Sequence, residues 1–144
     1  MSSVRGTTVY TVSEEASDEE PAALARQENK SEIIAGLELQ DESNEVTGIL
    51  IDLAQRETKN FSVQFAESLI SSMRGQVRLN RNPHRFAGFR VLKAPDVPSV
   101  LMELGYLSNR DDVRDLMSRA WRKKIIAATI KAIDAFFKTR LANQ

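Results

Sequence analysis

The stretch from residue 89 to residue 109 reads FRVLKAPDVPSVLMELGYLSN, and the fold prediction starts from it. Two apolar runs lie on either side of a turn that carries Pro95 and Pro98, and both are predicted as strands. The second run, from Ser99 to Leu104, is hydrophobic except for Glu103. Such a run is typical of a central strand buried on both faces, in a mostly parallel sheet covered by helices.

A carboxylate near the end of a buried strand needs a chemical reason, because burying an unpaired ionised acid is costly. Glu103 occupies such a position, and the ligands of open α/β sheets gather at the carboxyl ends of strands. The next turn carries Gly105, and Asn109 is predicted to cap a helix that starts near Asp111. Two interpretations are open: Glu103 performs chemistry, or local donors around Gly105 and Asn109 satisfy it.

The composition limits the class of protein. At 144 residues the chain has the size of one domain, and 42% hydrophobic with 28% charged residues is ordinary globular composition. The formal net charge is zero, which argues against a general nucleic-acid binder. A cluster of basic residues is predicted as a solvated loop; it comprises Arg78, Arg81, His84, Arg85 and Arg90.

Three features of the sequence bear on cellular location. The chain has no cysteine, which excludes disulfides and thiolate metal sites. It has no run of about 18 uninterrupted apolar residues, so no transmembrane segment is predicted. Residues 1–6 lack the apolar core of a signal peptide.

Residue type and apolar periodicity predict elements in the order β, α, long α, β, β, α, α. Outside the stretch above, these are a strand at 6–12, a helix at 21–29, a helical segment at 45–73, and helices at 111–116 and 120–141. The segment at 45–73 is expected to bend or divide near Lys59 and Asn60, and residues 75–85 are predicted as a loop-like link. Three strands are few for a complete α/β sheet, so further strands are expected upstream.

Three segments together resemble a known family. They are RGTTVY at residues 5–10, AGFRVLK at 87–93 and PSVLMELGYLSN at 98–109. These segments resemble the C-terminal half of the zinc-dependent N-acetylmuramoyl-L-alanine amidases of the amidase 3 group, and the resemblance extends over nearly the whole chain. It implies that residues 1–144 are the C-terminal portion of a catalytic domain, with a helical insert at about 15–80.

The resemblance implies an enzyme that cuts the amide joining N-acetylmuramic acid to L-alanine of the peptidoglycan stem peptide. Glu103 matches the family's catalytic glutamate, which takes a proton from water beside a zinc ion. The family's zinc ligands, two histidines and a glutamate, are expected upstream of this chain. The only histidine, His84, does not match a ligand position. No metal ligand is therefore expected in this chain, and the chain alone is expected to be inactive.

The resemblance also implies regulation by the helical insert. In the Gram-negative periplasmic members, a helix of the insert blocks the active site until an activator protein withdraws it. Glu28 and Glu32 lie at i and i+4 on one predicted helix face, where either could present an acid to the zinc. The alternative is that both are solvated helix glutamates. The partners implied are peptidoglycan and an activator protein, with no nucleic acid, in a periplasmic location.

A second functional class is open on the sequence alone. This is a non-catalytic α/β module whose helical insert docks a regulator. In both interpretations the fold class is α/β, with a mostly parallel sheet flanked by helices and incomplete in this chain. Upstream sequence that contains a ligand glutamate and two histidines would favour the enzyme.

Overall fold

A computed structural model of the chain describes residues 4–34, 45–94 and 96–142. Side chains are described in these ranges except at 31–34, 45–52 and 140–142. The elements are β1 (Thr7–Val12), α1 (Glu19–Ile34), α2 (Glu45–Met73), β2 (Leu79–Ala87), a 3-10 helix (Arg90–Leu92), β3 (Leu101–Glu103), α3 (Arg110–Met117) and α4 (Arg119–Ala142). The predicted α/β class is confirmed.

The described strands form a three-stranded mixed sheet in the order β2-β1-β3. β1 and β3 are antiparallel, with Thr8 opposite Glu103 and Tyr10 opposite Leu101. Because directly opposed residues share a face of a sheet, Thr8, Tyr10 and Glu103 project to the same side. This register brings two hydroxyl-bearing side chains of β1 towards the end of β3.

β1 and β2 run in the same direction. The peptide N–H of Thr7 donates to the carbonyl of Arg78 at 2.9 Å, and that of Ser13 donates to the carbonyl of Ala87 at 3.0 Å. One bond joins the starts of the two strands and the other joins their ends, which is the parallel arrangement. The described sheet therefore combines one parallel and one antiparallel pair.

The prediction for residues 99–104 is partly wrong. They form a strand only at Leu101–Glu103, and these three residues are half-buried rather than buried on both faces. β1 takes the central place instead, and its residues from Thr7 to Thr11 are all buried. The continuous apolar run misled the prediction, because apolarity alone does not distinguish a central strand from a short strand beside it.

Two further local predictions are wrong. The apolar residues before the proline turn form a 3-10 helix, in which Phe89 and Leu92 are buried and Arg90 and Val91 are exposed. That spacing of three matches one turn of a 3-10 helix. The predicted link at 75–85 contains most of β2, which hydrogen bonds to β1 stabilise despite Pro83.

The helix predictions hold, with one exception. α1, α3 and α4 cover the predicted segments, and Asn109 caps α3: its Oδ1 accepts from the peptide N–H of Asp111 at 3.0 Å and of Asp112 at 3.3 Å. α2 is a single continuous helix, so the predicted division into two helices near Lys59 is wrong, while the alternative of a bend there stays a prediction. Within the described ranges, no helix is long and apolar enough to cross a bilayer.

The chain forms two compact units, the first of which comprises Met1–Tyr10, Gln64–His84 and Leu101–Gln144. In this unit α4 packs on the end of α2. The rings of Phe65 and Phe136 have centroids 5.1 Å apart, and Ser68 Oγ donates to the carbonyl of Ala132 at 3.3 Å. Leu69 is fully buried in the same core, so the C-terminal part of α2 is structural.

The second unit comprises Thr11–Val63 and Arg85–Val100. Here Asn29 of α1 binds the backbone around the 3-10 helix. Its Nδ2 donates to the carbonyl of Gly88 at 2.8 Å, and its Oδ1 accepts from the peptide N–H of Arg90 at 2.9 Å. A second contact joins Arg85 Nη1 to Glu20 Oε2 at 2.6 Å. Glu20, near the start of α1, and Asn29, in its second half, thus both bind the segment from Arg85 to Arg90.

Replacement of Asn29 by alanine is expected to reduce the free energy of unfolding by about 1–2 kcal/mol, because two backbone groups lose their partner and one of these hydrogen bonds is partly buried. Urea denaturation followed by circular dichroism measures the change. Asn60→Ala, on an exposed position of α2, is the matched control and is expected to stay within about 0.5 kcal/mol of the parent. Equal stability of the two variants would contradict this role of Asn29.

Candidate active site

The carboxylate of Glu103 lies at the last residue of β3 and is half-buried. Its Oε2 accepts a hydrogen bond from the hydroxyl of Tyr10 at 2.8 Å. Within the described part of the chain, no lysine or arginine forms an ion pair with it. The hydrogen bond from Tyr10 fits both interpretations of Glu103, so its catalytic role stays a prediction.

Tyr10 provides the donor from the central strand. It is 1% exposed, and its hydroxyl reaches diagonally across the pair of strands to Glu103. Burial, and then the hydrogen bond to Glu103, raise the pKa of Tyr10 far above its ordinary value. The phenol is therefore protonated, and it acts on the carboxylate as a neutral donor.

Two more hydroxyls lie beside this pair. The Oη of Tyr106 and the Oγ1 of Thr8 are both buried, and neither makes a hydrogen bond within the described part of the chain. Burial raises the pKa of Tyr106, and its hydroxyl is close enough to Glu103, Tyr10 and Thr8 to be influenced by them. The end of β3 therefore carries a small cluster of polar side chains.

Asp112 holds the loop that follows β3. It is 3% exposed, and its Oδ2 accepts from the peptide N–H of Gly6 at 2.9 Å and of Tyr106 at 3.0 Å. Gly105 packs against it so closely that an added Cβ would come within 3.1 Å of the Asp112 Cβ. One carboxylate thus connects the start of β1, the loop after Glu103 and the first turn of α3.

These contacts bear on the alternative interpretation of Glu103. Two of the local groups bind elsewhere: the N–H of Tyr106 donates to Asp112, and the Asn109 side chain caps α3. The donor to Glu103 instead comes from Tyr10, 93 residues away in the chain. The expectation of local donors around Gly105 and Asn109 does not match these hydrogen bonds.

The predicted basic cluster lies largely on β2 rather than in a loop. Arg78, Arg81 and Arg90 are exposed, as expected for solvated side chains. Arg85 departs from the prediction, since its side chain is 9% exposed and pairs with Glu20. His84 is half-buried, and burial lowers its pKa below the ordinary value, an effect that the nearby charge of Glu67 opposes.

The two glutamates of the predicted insert belong to α1, in the second unit. Glu28 is exposed. The backbone of Glu32 is helical, but its side chain lies outside the described part of the structure. Each stays a prediction, as does the placement of the insert at about 15–80.

The described residues contain no group of three or more histidine, cysteine, aspartate or glutamate side chains that could hold a metal ion. Zinc in proteins normally has three or four converging ligands of these types. The described part of the chain therefore does not fit a zinc ion by itself.

Sequence reasoning missed Tyr10 and Asp112. Tyr10 contributed only to the strand propensity of residues 6–12, and Asp112 only to the start of a helix. The available signal was that Thr8 and Tyr10, two positions apart in a strand, lie on the same face of it. Its use requires the antiparallel register of β1 with β3, which the sequence pattern does not supply.

Comparison with known proteins places the chain in a family. A family profile described as N-acetylmuramoyl-L-alanine amidase matches residues 1–135. The N-acetylmuramoyl-L-alanine amidase AmiA of Escherichia coli K12 is 30% identical over 114 residues, which are 79% of this chain and 39% of the relative. AmiC of Neisseria meningitidis serogroup B is 26% identical over 143 residues, 99% of this chain and 34% of the relative. The chain thus spans about a third of the length of these curated relatives.

A solved structure supports the fold. The crystal structure of the N-acetylmuramyl-L-alanine amidase Ami1 from Mycobacterium smegmatis aligns with 95% of this chain and 49% of its own, with a TM-score of 0.56. Because the sequence identity is 17%, this likeness concerns the fold alone.

Proposed function

The chain belongs to the N-acetylmuramoyl-L-alanine amidase family, and we propose on that premise that it is part of a peptidoglycan hydrolase. The bond cleaved is the amide between N-acetylmuramic acid and the L-alanine of the stem peptide. The observation that carries the proposal for this chain is a half-buried carboxylate, Glu103, at a strand end, held by a neutral donor without a cationic partner in the described residues. Such a group is suited to accept a proton.

In this proposal Glu103 is the general base and then the general acid. It removes a proton from the attacking water as the water oxygen bonds to the amide carbon. It then gives that proton to the nitrogen as the carbon–nitrogen bond breaks, which releases the amino group of L-alanine. Tyr10 keeps its own proton during these steps, because burial raises its pKa far above the ordinary value.

We propose that the zinc ligands of this family lie outside this chain. The described residues do not fit a metal ion, and the chain spans 39% of the length of the Escherichia coli K12 relative. In this proposal the complete enzyme consists of this chain together with the zinc-binding part of its domain. We expect that the sheet of the complete enzyme is mostly parallel and that this chain alone neither binds stoichiometric zinc nor turns over substrate.

The proposal extends to location and regulation. Relatives carry names such as "Probable cell wall amidase LytH" from Staphylococcus saprophyticus. A cell-wall substrate implies that the enzyme acts outside the cytoplasm, and we propose the periplasm. We also propose that residues of about 15–80 form an inhibitory insert, released by an activator protein.

Digestion of purified sacculi tests the proposed function. The zinc-loaded complete enzyme is expected to release glycan strands free of peptide and peptides with L-alanine at the amino terminus, identified by mass spectrometry. Products with intact amide bonds and cleaved glycan would exclude the amidase. Binding to a regulator, with no released amino termini from the activated enzyme, would instead favour the non-catalytic module.

Substitution of the insert glutamates tests the regulatory proposal. In the complete enzyme, Glu28→Gln combined with Glu32→Gln is expected to raise the basal rate about ten-fold, since about 1.4 kcal/mol of inhibitory contact is lost. The rate of sacculus digestion without activator measures it. Glu57→Gln on an exposed part of α2 is the control. A basal rate equal to that of the control would remove both glutamates from inhibition.

The same segment should not be deleted as a block. Its C-terminal part includes Leu69 and Met73 of α2, which are fully buried in the first unit. Removal of buried apolar side chains of this size costs roughly 2–5 kcal/mol each. A deletion through Gly75 would therefore unfold this unit and report on stability rather than on inhibition, so point substitutions are the better test.

A further inference from the structure

We propose that Tyr10 is a positioning residue for Glu103: its hydroxyl holds the carboxylate through Oε2 and leaves Oε1 to take the proton from water. The inference rests on the proposed function, because it assumes that Glu103 is the base. Its direct support is the 2.8 Å hydrogen bond from Tyr10 Oη to Glu103 Oε2. A charged acceptor makes such a bond stronger than one between neutral groups.

The donor is itself held in place by the fold. Tyr10 is 1% exposed and lies on the central strand of the described sheet, opposite Leu101 of β3. A buried aromatic ring has few rotamers available, whereas a glutamate has three rotatable bonds and loses more conformational freedom when it is ordered. The hydrogen bond from this fixed donor thus restricts the conformations of the flexible Glu103 side chain.

The proposed reaction requires that Tyr10 keeps its proton throughout. Burial and the neighbouring carboxylate keep the pKa of Tyr10 far above neutrality, so the phenol neither loses its proton nor competes for that of the water. The proton therefore moves from water to Glu103 and from Glu103 to the leaving nitrogen. Tyr10 contributes by orientation and touches no reacting atom.

Tyr106 offers a matched comparison within the same cluster. Its hydroxyl is also buried and close to Glu103, but the geometry of its contact with the carboxylate is poorer than that of the 2.8 Å bond from Tyr10. The two tyrosines therefore share residue type, burial of the hydroxyl and neighbourhood, and they differ in the geometry of the contact with the carboxylate. Phenylalanine at each position removes one oxygen and preserves the ring.

The test compares Tyr10→Phe and Tyr106→Phe in the zinc-loaded complete enzyme. Tyr10→Phe is expected to lower kcat about ten-fold, which is the value of a hydrogen bond to a charged group, with KM and zinc content unchanged. Tyr106→Phe is expected to lower kcat less than Tyr10→Phe does, because its contact with the carboxylate has the poorer geometry.

Two results would overturn the proposal. One is a folded Tyr10→Phe enzyme with the parent kcat. The other is an equal loss in both phenylalanine variants, which would indicate a general packing effect. Glu103→Gln distinguishes failure of this inference from failure of the proposed function. If the zinc-loaded Glu103→Gln enzyme is active, Glu103 is not the base and the proposed function itself fails.

A second variant keeps the test decisive if Tyr10→Phe does not fold. Incorporation of 3-fluorotyrosine at position 10 preserves the shape and the hydroxyl and makes the phenol a stronger donor. The kcat of this enzyme is expected to stay within about two-fold of the parent value, because the hydroxyl that holds the carboxylate is retained. A ten-fold loss of kcat in the folded fluorotyrosine enzyme would overturn the proposal.

Discussion

Replacement of Asp112 by alanine is expected to lower the free energy of unfolding by about 3 kcal/mol, because two buried peptide N–H groups lose their acceptor. The residue is 3% exposed, so water cannot readily replace the lost oxygen. Its Oδ2 binds both Gly6 and Tyr106, and Arg5 Nε lies 3.8 Å from the other oxygen. Denaturation in urea, followed by far-ultraviolet circular dichroism, measures the change.

Two variants distinguish the hydrogen bonds from the charge. Asp112→Asn retains an oxygen that can accept from Gly6 and Tyr106, so it is expected to cost about 1 kcal/mol. Asp111→Asn affects the neighbouring carboxylate, which is 41% exposed and pairs with Arg5 at 2.7 Å. Exposed ion pairs contribute about 0–1 kcal/mol. A cost for Asp112→Ala no larger than for Asp111→Asn would show that the buried contacts do not stabilise this loop.

The loss would also affect the candidate base. Asp112 holds the N–H of Tyr106, three residues after Glu103, and the backbone of Gly6 before β1. In addition, Thr7 Oγ1 donates to the carbonyl of Leu104 at 3.1 Å. Loss of these bonds would therefore loosen the end of β3, and lower activity is expected for Asp112→Ala even in the fraction of the complete enzyme that stays folded.

Local physics made the helices and the cap predictable. Apolar spacing and helix-forming composition indicated α1, α3 and α4, and an asparagine before two aspartates indicated the start of α3. The peptide N–H groups of Asp111 and Asp112 do bind the Asn109 side chain. Such features depend on residues within one helical turn, so the sequence contains them directly.

Pairing between distant segments was not predictable in the same way. β2 was assigned to a loop because it contains Pro83 and several charges, yet its hydrogen bonds with β1 make it a strand. The apolar run that ends in Glu103 suggested a central strand, while β1 occupies that place. A strand's neighbours, and not its own residues alone, determine where it lies in a sheet.

The candidate site was predictable only in part. A glutamate at a strand end was identified from its residue type and position, and the family match now supports the activity proposed for the complete enzyme. The partner that orients it was missed, because Tyr10 and Glu103 are 93 residues apart. Arg85 was likewise expected to be solvated, and only the fold shows its pairing with Glu20.

Glu103→Gln is expected to lower kcat of the complete enzyme about 10³-fold, the range of general acid–base catalysis being roughly 10²–10⁴. Glutamine has nearly the same shape, and its oxygen can accept the hydrogen bond from Tyr10. It cannot take a proton from water at neutral pH. The variant therefore removes the proposed chemistry while preserving the local packing.

Three controls accompany this variant. Its zinc content is expected to equal that of the parent enzyme, because Glu103 is proposed as a base and not as a ligand. Its unfolding midpoint is expected to stay close to that of the parent. Asp96→Asn, an exposed substitution in the loop before β3, is expected to retain full activity.

The central claim is tested most directly by the rate at which the zinc-loaded Glu103→Gln enzyme releases peptides with L-alanine at the amino terminus from purified sacculi. The parent enzyme at equal zinc content is the reference. The account predicts release about 10³-fold slower than the parent, with the same products at the end of the reaction. Release at the rate of the parent enzyme would contradict it, since Glu103 would then take no part in moving the proton.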